Sequence, residues 1–160
     1  VGRMMFPGYR LLAEYSYEPG TGWWSDGVPM KGGYALVRVL VVGIGGFIGA
    51  SLRYIISVFC MRALGDSFPY GTLFVNALGG FLIGFIMEAS SGLWPVSPNT
   101  KLFLTTGILG GLTTFSTFSY ETINLLNVGS YLLGGLNAGL NLLLSLLGAW
   151  MGKLLAQVIG

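Results

Sequence analysis

Histidine is missing from this chain, and cysteine occurs once, at Cys60. No imidazole can act as a general base, no His or paired-Cys site can hold a metal, and no intrachain disulfide can form. Charge is scarce as well: eight basic and six acidic residues in 160, or 9% charged, far below the roughly 25% of soluble proteins. The acidic residues are Glu14, Glu18, Asp26, Asp66, Glu88 and Glu121. Only Glu88 and Glu121 fall within or beside apolar runs, so carboxylate chemistry would rest on that pair or on an oligomer. An enzyme is not expected, and neither is a nucleic-acid partner.

What is abundant sets the class. Hydrophobic residues make up 53% of the chain, the mean hydropathy is +0.73 and there are 27 glycines. These values describe an all-α integral membrane protein, a single domain by length. Glycine suits close helix contact in lipid, where the hydrophobic effect does not drive association.

Apolar runs predict four transmembrane helices, at about 34–60, 71–88, 101–126 and 131–159. Residues 1–29 are unlike the rest, with Pro7, Pro19 and aromatic residues in no sustained period. No basic segment leads into an apolar core, so they do not form a secretory signal. Met30 and Lys31 read as an ordinary bacterial start. The stretch 1–29 is therefore expected to be an upstream extension of unknown role, with 30–160 the functional subunit. An interfacial anchor is the competing reading, and the missing helical stripe speaks against it.

The third run carries the most informative stretch, Gly-Ile-Leu-Gly-Gly-Leu-Thr-Thr-Phe-Ser-Thr-Phe at 107–118. Gly110 and Gly111 weaken a helix by about 1 kcal/mol each relative to Ala, and hydroxyls crowd the positions that follow. In hydrocarbon a helix can break only where protein, water or an ion satisfies the freed backbone groups. Broken helices are a recurrent device for ion sites, since freed carbonyls bind cations and helix N-termini attract anions. A break within residues 110–113, near the middle of the span, is thus expected.

Polar residues elsewhere in the runs admit two readings. Asn76 in the second span is either interhelical glue or a donor to an anion. Asn137, Asn141 and Ser145 stand at i, i+4 and i+8, one stripe on one helix face, and read as a polar track. Glu121 is a functional candidate because an ionisable group at membrane depth is costly. Arg53 in the first span either snorkels to the interface or draws anions. The basic residues Lys31, Arg38, Lys101 and Lys153 fall on the side of the termini, and Arg53 and Arg62 on the other. That asymmetry favours cytoplasmic termini only weakly and permits insertion both ways.

Three motifs carry a family resemblance: Gly-Gly-Phe-Ile-Gly-Ala-Ser-Leu-Arg-Tyr at 45–54, Gly-Thr-Leu-Phe-Val-Asn at 71–76, and Gly-Gly-Leu-Thr-Thr-Phe-Ser-Thr-Phe-Ser at 110–119. Their order and spacing resemble the Fluc (CrcB) family of fluoride channels over roughly residues 36–159. The resemblance implies an antiparallel, dual-topology homodimer in the cell (inner or plasma) membrane, with two fluoride pores. It implies a structural sodium ion at the dimer centre, held by the backbone carbonyls of Gly110 and Thr113. Phe115 and Phe118 match the pair whose ring edges line the fluoride path. Asn76 matches the pore asparagine, and Asn137, Asn141 and Ser145 the fourth-helix track. Hydroxyls commonly stand at the middle and last track positions, so Asn141 is a departure. Arg53 matches the vestibule arginine, and Glu121 the acidic residue after the second phenylalanine. The implied function is passive export of fluoride down its electrochemical gradient, relieving its toxicity.

Two other classes fit some of the residues. A small four-helix multidrug exporter of dual topology would use Glu121 for proton exchange, but such carboxylates sit early in the first span, which here has none. A scaffold subunit accounts for the glycines and leaves the polar stripe without a purpose.

Overall fold

Glycine and proline punctuate the chain where its helices end. A computed structural model describes residues 33–92, 94 and 96–160, and the expectation for residues 1–29 lies outside these. Helix α1 (Gly33–Leu64) stops at Gly65, whose φ of 86° lies in the left-handed region that glycine enters without strain. Helix α2 (Tyr70–Ala89) follows Pro69. The third span begins at α3 (Pro98–Leu102), where Ser97 accepts from the Thr100 amide and Pro98 takes the first turn. It continues as a π-helical segment (Phe103–Leu109) and a short α4 (Gly110–Leu112), then breaks before α5 (Phe115–Asn127). Gly129, with φ of 79°, turns the chain into α6 (Tyr131–Ile159).

Four of these stretches are long and apolar enough to cross a membrane: Tyr34–Leu64, Tyr70–Ala89, Pro98–Asn127 and Tyr131–Ile159. At 1.5 Å per residue a 20-residue helix such as α2 spans about 30 Å, the thickness of a hydrocarbon core. The chain is a multi-pass membrane protein. Its outward faces are apolar, with Phe47, Phe59, Leu132 and Trp150 among the exposed side chains.

Because lipid is as apolar as leucine, burial of apolar area cannot hold these helices together. Glycine does so by letting backbones touch. Two seams result. In the first, Gly45 of α1 faces Gly107 of the third span, Gly49 meets the backbone of Ile108 and Leu112, and Gly111 meets that of Gly46 and Ala50; a Cβ on Gly45 would stand 2.8 Å from the Gly107 Cα. In the second, Gly80 and Gly84 of α2 interlock with Gly148 and Gly152 of α6, and a Cβ on Gly148 would stand 2.8 Å from the Ala77 carbonyl oxygen. The α2–α6 pair is the most extensive packing in the fold. Between the seams lies a small core of Val75, Leu109 and Leu112, flanked by Ile56, Leu82, Ile83 and Ile86.

The break falls at the C-terminal end of the expected stretch and runs one residue past it. Gly110 remains helical (φ −63°, ψ −35°), and the Thr113 amide still donates to the Leu109 carbonyl at 3.0 Å. The extended residues are Thr113 (φ −79°, ψ 157°) and Thr114 (φ −154°, ψ 119°). Of residues 110–113, only the last leaves the helix. The physical reason is that extended backbone suits the threonines, whose hydroxyls then bond locally, while Gly111 packs against α1 and Gly110 stays helical at the surface. Upstream, the π segment is a feature the residue pattern did not predict. There Thr105 Oγ1 donates to the Lys101 carbonyl (2.8 Å), competing for an acceptor that an α-turn would use.

Candidate functional site: a broken helix and an amide ladder

At the break, the backbone loses its helical partners and side chains supply substitutes. The Thr114 amide would ordinarily donate to Gly110; it donates instead to Asn76 Oδ1 at 2.8 Å. The Thr114 carbonyl accepts from Asn76 Nδ2 at 3.1 Å. One carboxamide on α2 thus closes both backbone groups of one residue on the third span. Thr114 also caps α5 through its hydroxyl, which accepts from the Thr117 amide at 3.2 Å.

These substitutions leave acceptors over. With the Thr114 amide turned to Asn76 and the Thr117 amide turned to Thr114 Oγ1, the carbonyls of Gly110 and Thr113 have no amide four residues on. Nor does any other backbone donor among the described residues reach them. Gly110 lies exposed at the surface of the chain. A pair of neutral, hard carbonyl oxygens of this kind fits the donor set of an alkali cation.

From Asn76 a line of side chains runs along α6. Asn76 Nδ2 donates to Asn141 Oδ1 (2.9 Å), and Asn141 Nδ2 donates to Asn137 Oδ1 (2.8 Å) and to the Asn137 carbonyl (3.1 Å). Asn137 Nδ2 donates to Thr122 Oγ1 (2.9 Å), which donates to the Phe118 carbonyl (2.8 Å). Asn137 is fully buried and Asn141 nearly so. Burying a carboxamide in an apolar interior is costly unless it is bonded, and here each one is. The structure therefore brings together Asn76, Asn137 and Asn141. Ser145 lies a turn beyond, outside the ladder, where its backbone packs on Gly80.

The two phenylalanines flank the same region. The rings of Phe115 and Phe118 lie 5.4 Å apart with planes tilted by 58°, a geometry that offers the positive edge of one ring toward the face of the other. Phe118 is half-buried, whereas Phe115 is 79% exposed. Below them, Thr72 Oγ1 donates to Glu121 Oε1 at 2.8 Å. The other carboxylate oxygen of Glu121 is buried without a partner among the described residues. Glu121 borders a cavity of about 390 Å³ whose lining includes Ser57, Asp66, Thr72 and Asn124. Arg53 is half-buried on α1 and makes no ion pair among the described residues.

Residue reasoning missed how Asn76 meets the break. The two positions are 38 residues apart, and no local pattern links them; the only signal was an amide inside an apolar helix. It likewise missed Thr122 as the end of the ladder. A hydroxyl four residues after Phe118 reads as ordinary back-bonding to its own helix.

Fold and site together define a four-span membrane protein with a broken third helix and a buried polar track beside the break. The chain belongs to the CrcB family: the family model described as "CrcB-like protein, Camphor Resistance (CrcB)" matches residues 40–153. The chain is similar to proteins named fluoride-specific ion channel FluC. That of Clostridium novyi (strain NT) is 55% identical over 124 residues, covering 78% of this chain and 97% of its own. That of Clostridium perfringens (strain 13 / Type A) is 58% identical over the same coverage. That of Ruminiclostridium cellulolyticum is 46% identical over 78% of this chain and 95% of its own.

Proposed function

We propose that this chain is the subunit of a fluoride-selective channel, through which fluoride leaves the cell passively down its electrochemical gradient. The observation that carries the reading is identity of 55–58% over 97% of the length of proteins named fluoride-specific ion channels. The site's chemistry supports it. Fluoride is small and tightly hydrated, so a path for it must replace water with donors. Amides at Asn76 and Asn137, the Ser145 hydroxyl and the ring edges of Phe115 and Phe118 are donors of moderate strength. No basic residue lies between Lys101 and Lys153, so the third and fourth helices carry full positive charge only near their ends, and none at the break or the amide track that would trap the anion. Conduction needs binding strong enough for entry and weak enough for release.

The subunit works as an antiparallel homodimer. Phe115 and Gly110, exposed on the subunit surface, meet the partner around the break. The carbonyls of Gly110 and Thr113 from each copy hold a sodium ion, whose charge favours an anion nearby. Asn76 and the cap on α5 keep those carbonyls turned away from helical partners. Arg53 and Glu121 stand at the entrance of the path. A chain beginning at Met30 carries the whole activity.

The test is fluoride efflux from liposomes holding the purified full chain, with chloride efflux and proton-coupled drug exchange as controls. Fluoride efflux with little chloride efflux and no drug exchange is the expected result. Drug exchange without fluoride efflux would overturn the reading in favour of a small multidrug exporter.

A further inference from the structure

The amide ladder has a direction, and the backbone dictates it. An N–H can only donate and a carbonyl can only accept, so the Thr114 amide requires Asn76 to present Oδ1 to it. The Thr114 carbonyl then receives one Nδ2 proton of Asn76, and the second proton points to α6. Asn141 must therefore present its oxygen to Asn76 and its amide nitrogen to Asn137. The Asn137 carbonyl, which can only accept, agrees with that orientation. Asn137 in turn presents oxygen to Asn141 and nitrogen to Thr122. Every step follows from the one residue at the break.

We infer that Asn141 is a positioning residue: it locks the Asn76 carboxamide onto the Thr114 backbone and so holds the break of the third span in place. Both protons of Asn76 Nδ2 are engaged, one on Thr114 and one on Asn141. Without the acceptor on Asn141, the second proton would be left unpaired in the helix interior, and Asn76 would turn from Thr114 to satisfy it. Asn141 is itself held on both sides and is 4% exposed, so it has no freedom to give the bond up. A hydroxyl at this position can accept from Asn76, but a serine side chain ends one bond shorter. The amide at 141 thus stiffens the junction between α6 and the third span in this chain.

The flux part of the test rests on the channel reading above; the exchange part does not. Backbone amide exchange at Thr114 is followed by NMR on the full chain, for Asn76→Ala, Asn141→Leu and the double variant. Losing about one hydrogen bond predicts roughly tenfold faster exchange in Asn141→Leu; Asn76→Ala, which removes both bonds to Thr114, should be at least as fast, and the double variant no faster than Asn76→Ala. Asn141→Ser, which puts a shorter hydroxyl in place of the carboxamide and so keeps a polar group at this buried position, is expected to speed exchange about fivefold on the same ground. Thr114 exchange unchanged in Asn141→Leu or, should that variant not fold, in Asn141→Ser overturns the inference. In fluoride efflux the double variant should lose no more than the worse single variant. Losses that multiply would mean that Asn141 contributes to the path independently of Asn76, and would overturn it as well. Absence of efflux in the unmodified chain would sink the channel reading and leave the exchange result to decide this one.

Discussion

The α2–α6 seam and the junction between α2, α6 and the break lie within a few turns of each other, yet they hold helices together by opposite means. Along the seam, Gly80, Gly84, Gly148 and Gly152 remove side chains altogether, and carbonyl oxygens fill the space where a Cβ would stand. At the junction, Asn76 and Asn141 reach across with long polar groups and bond at 2.9 Å. The first is contact without side chains; the second is side-chain polarity held in a fixed order of donors and acceptors. A seam of the first kind stores no alternatives, since interiors at close packing respond to one added carbon. A ladder of the second kind is held by single bonds worth only about 0.5–1.5 kcal/mol net each, so its order depends on every partner being present. An anion path belongs to the second kind of region, braced by the first.

The largest effect should come from filling the seam. Leucine at Gly152 would drive its Cβ into the Phe81 carbonyl, which belongs to helix backbone and cannot move aside. Overpacking of this sort costs about 3 kcal/mol or more, so Gly152→Leu should leave little monodisperse protein on size exclusion. Gly43, where an added methyl would meet nothing within 4 Å, is the counterpart. Gly43→Ala should purify like the unmodified chain. A well-folded Gly152→Leu variant would show that the seam is slack and remove one side of the comparison.

Next comes the charge at the ladder's head. Asn76→Asp replaces both donated protons with a carboxylate facing the Thr114 carbonyl and Asn141 Oδ1, which are acceptors. It also sets a negative charge where fluoride is proposed to pass. Efflux should fall by about a hundredfold or more, the penalty of a few kcal/mol for charged or acceptor groups left facing one another. Normal efflux would reduce Asn76 to interhelical glue.

Parts of this architecture were legible in the residues and parts were not. Four runs of apolar residues marked the four spans, because a membrane helix must be about 20 residues long whatever it packs against. The break was legible to within a few residues, but for the wrong cause. Gly110 and Gly111 looked like the weak point, although Gly111 serves contact with α1 and the threonines carry the extended backbone. Gly45 and Gly49 showed their spacing plainly, while the backbone they meet, at Gly107, Ile108 and Leu112, could be recognised only across the fold. The stripe Asn137, Asn141, Ser145 was visible from helical period alone, but its split was not. Two of its members bond in a ladder and the third packs against Gly80, a difference set by what α2 presents to each turn.

A moderate effect is expected at the phenylalanines. Phe115→Ile and Phe118→Ile keep apolar bulk and remove the positive ring edge, and neither ring is needed by a seam. Losing an edge contact of about 0.5–1.5 kcal/mol in the barrier should lower efflux up to roughly tenfold. Size-exclusion profiles should not change. Unaltered efflux in both variants would place the fluoride path elsewhere.

The smallest effect should come from the one ion pair among the described residues, at the end of the α2–α6 seam. Lys153 Nζ lies 3.8 Å from Glu88 Oε2, and its side chain is 56% exposed. The distance is at the edge of contact, and Gln157 Nε2 already serves the other oxygen of Glu88 at 2.8 Å. Removing the lysine therefore leaves Glu88 bonded and near water, not stranded in hydrocarbon. Exposed pairs of this kind contribute about 0–1 kcal/mol and are screened by salt. Lys153→Met should shift thermal unfolding in detergent by only a degree or two in low salt, and by less in high salt, on the same ground. A loss as large as that of Gly152→Leu, one residue away, would mean that charge rather than backbone contact closes the seam. The distinction between its dry glycine contacts and the polar ladder would then fail at this end of the molecule.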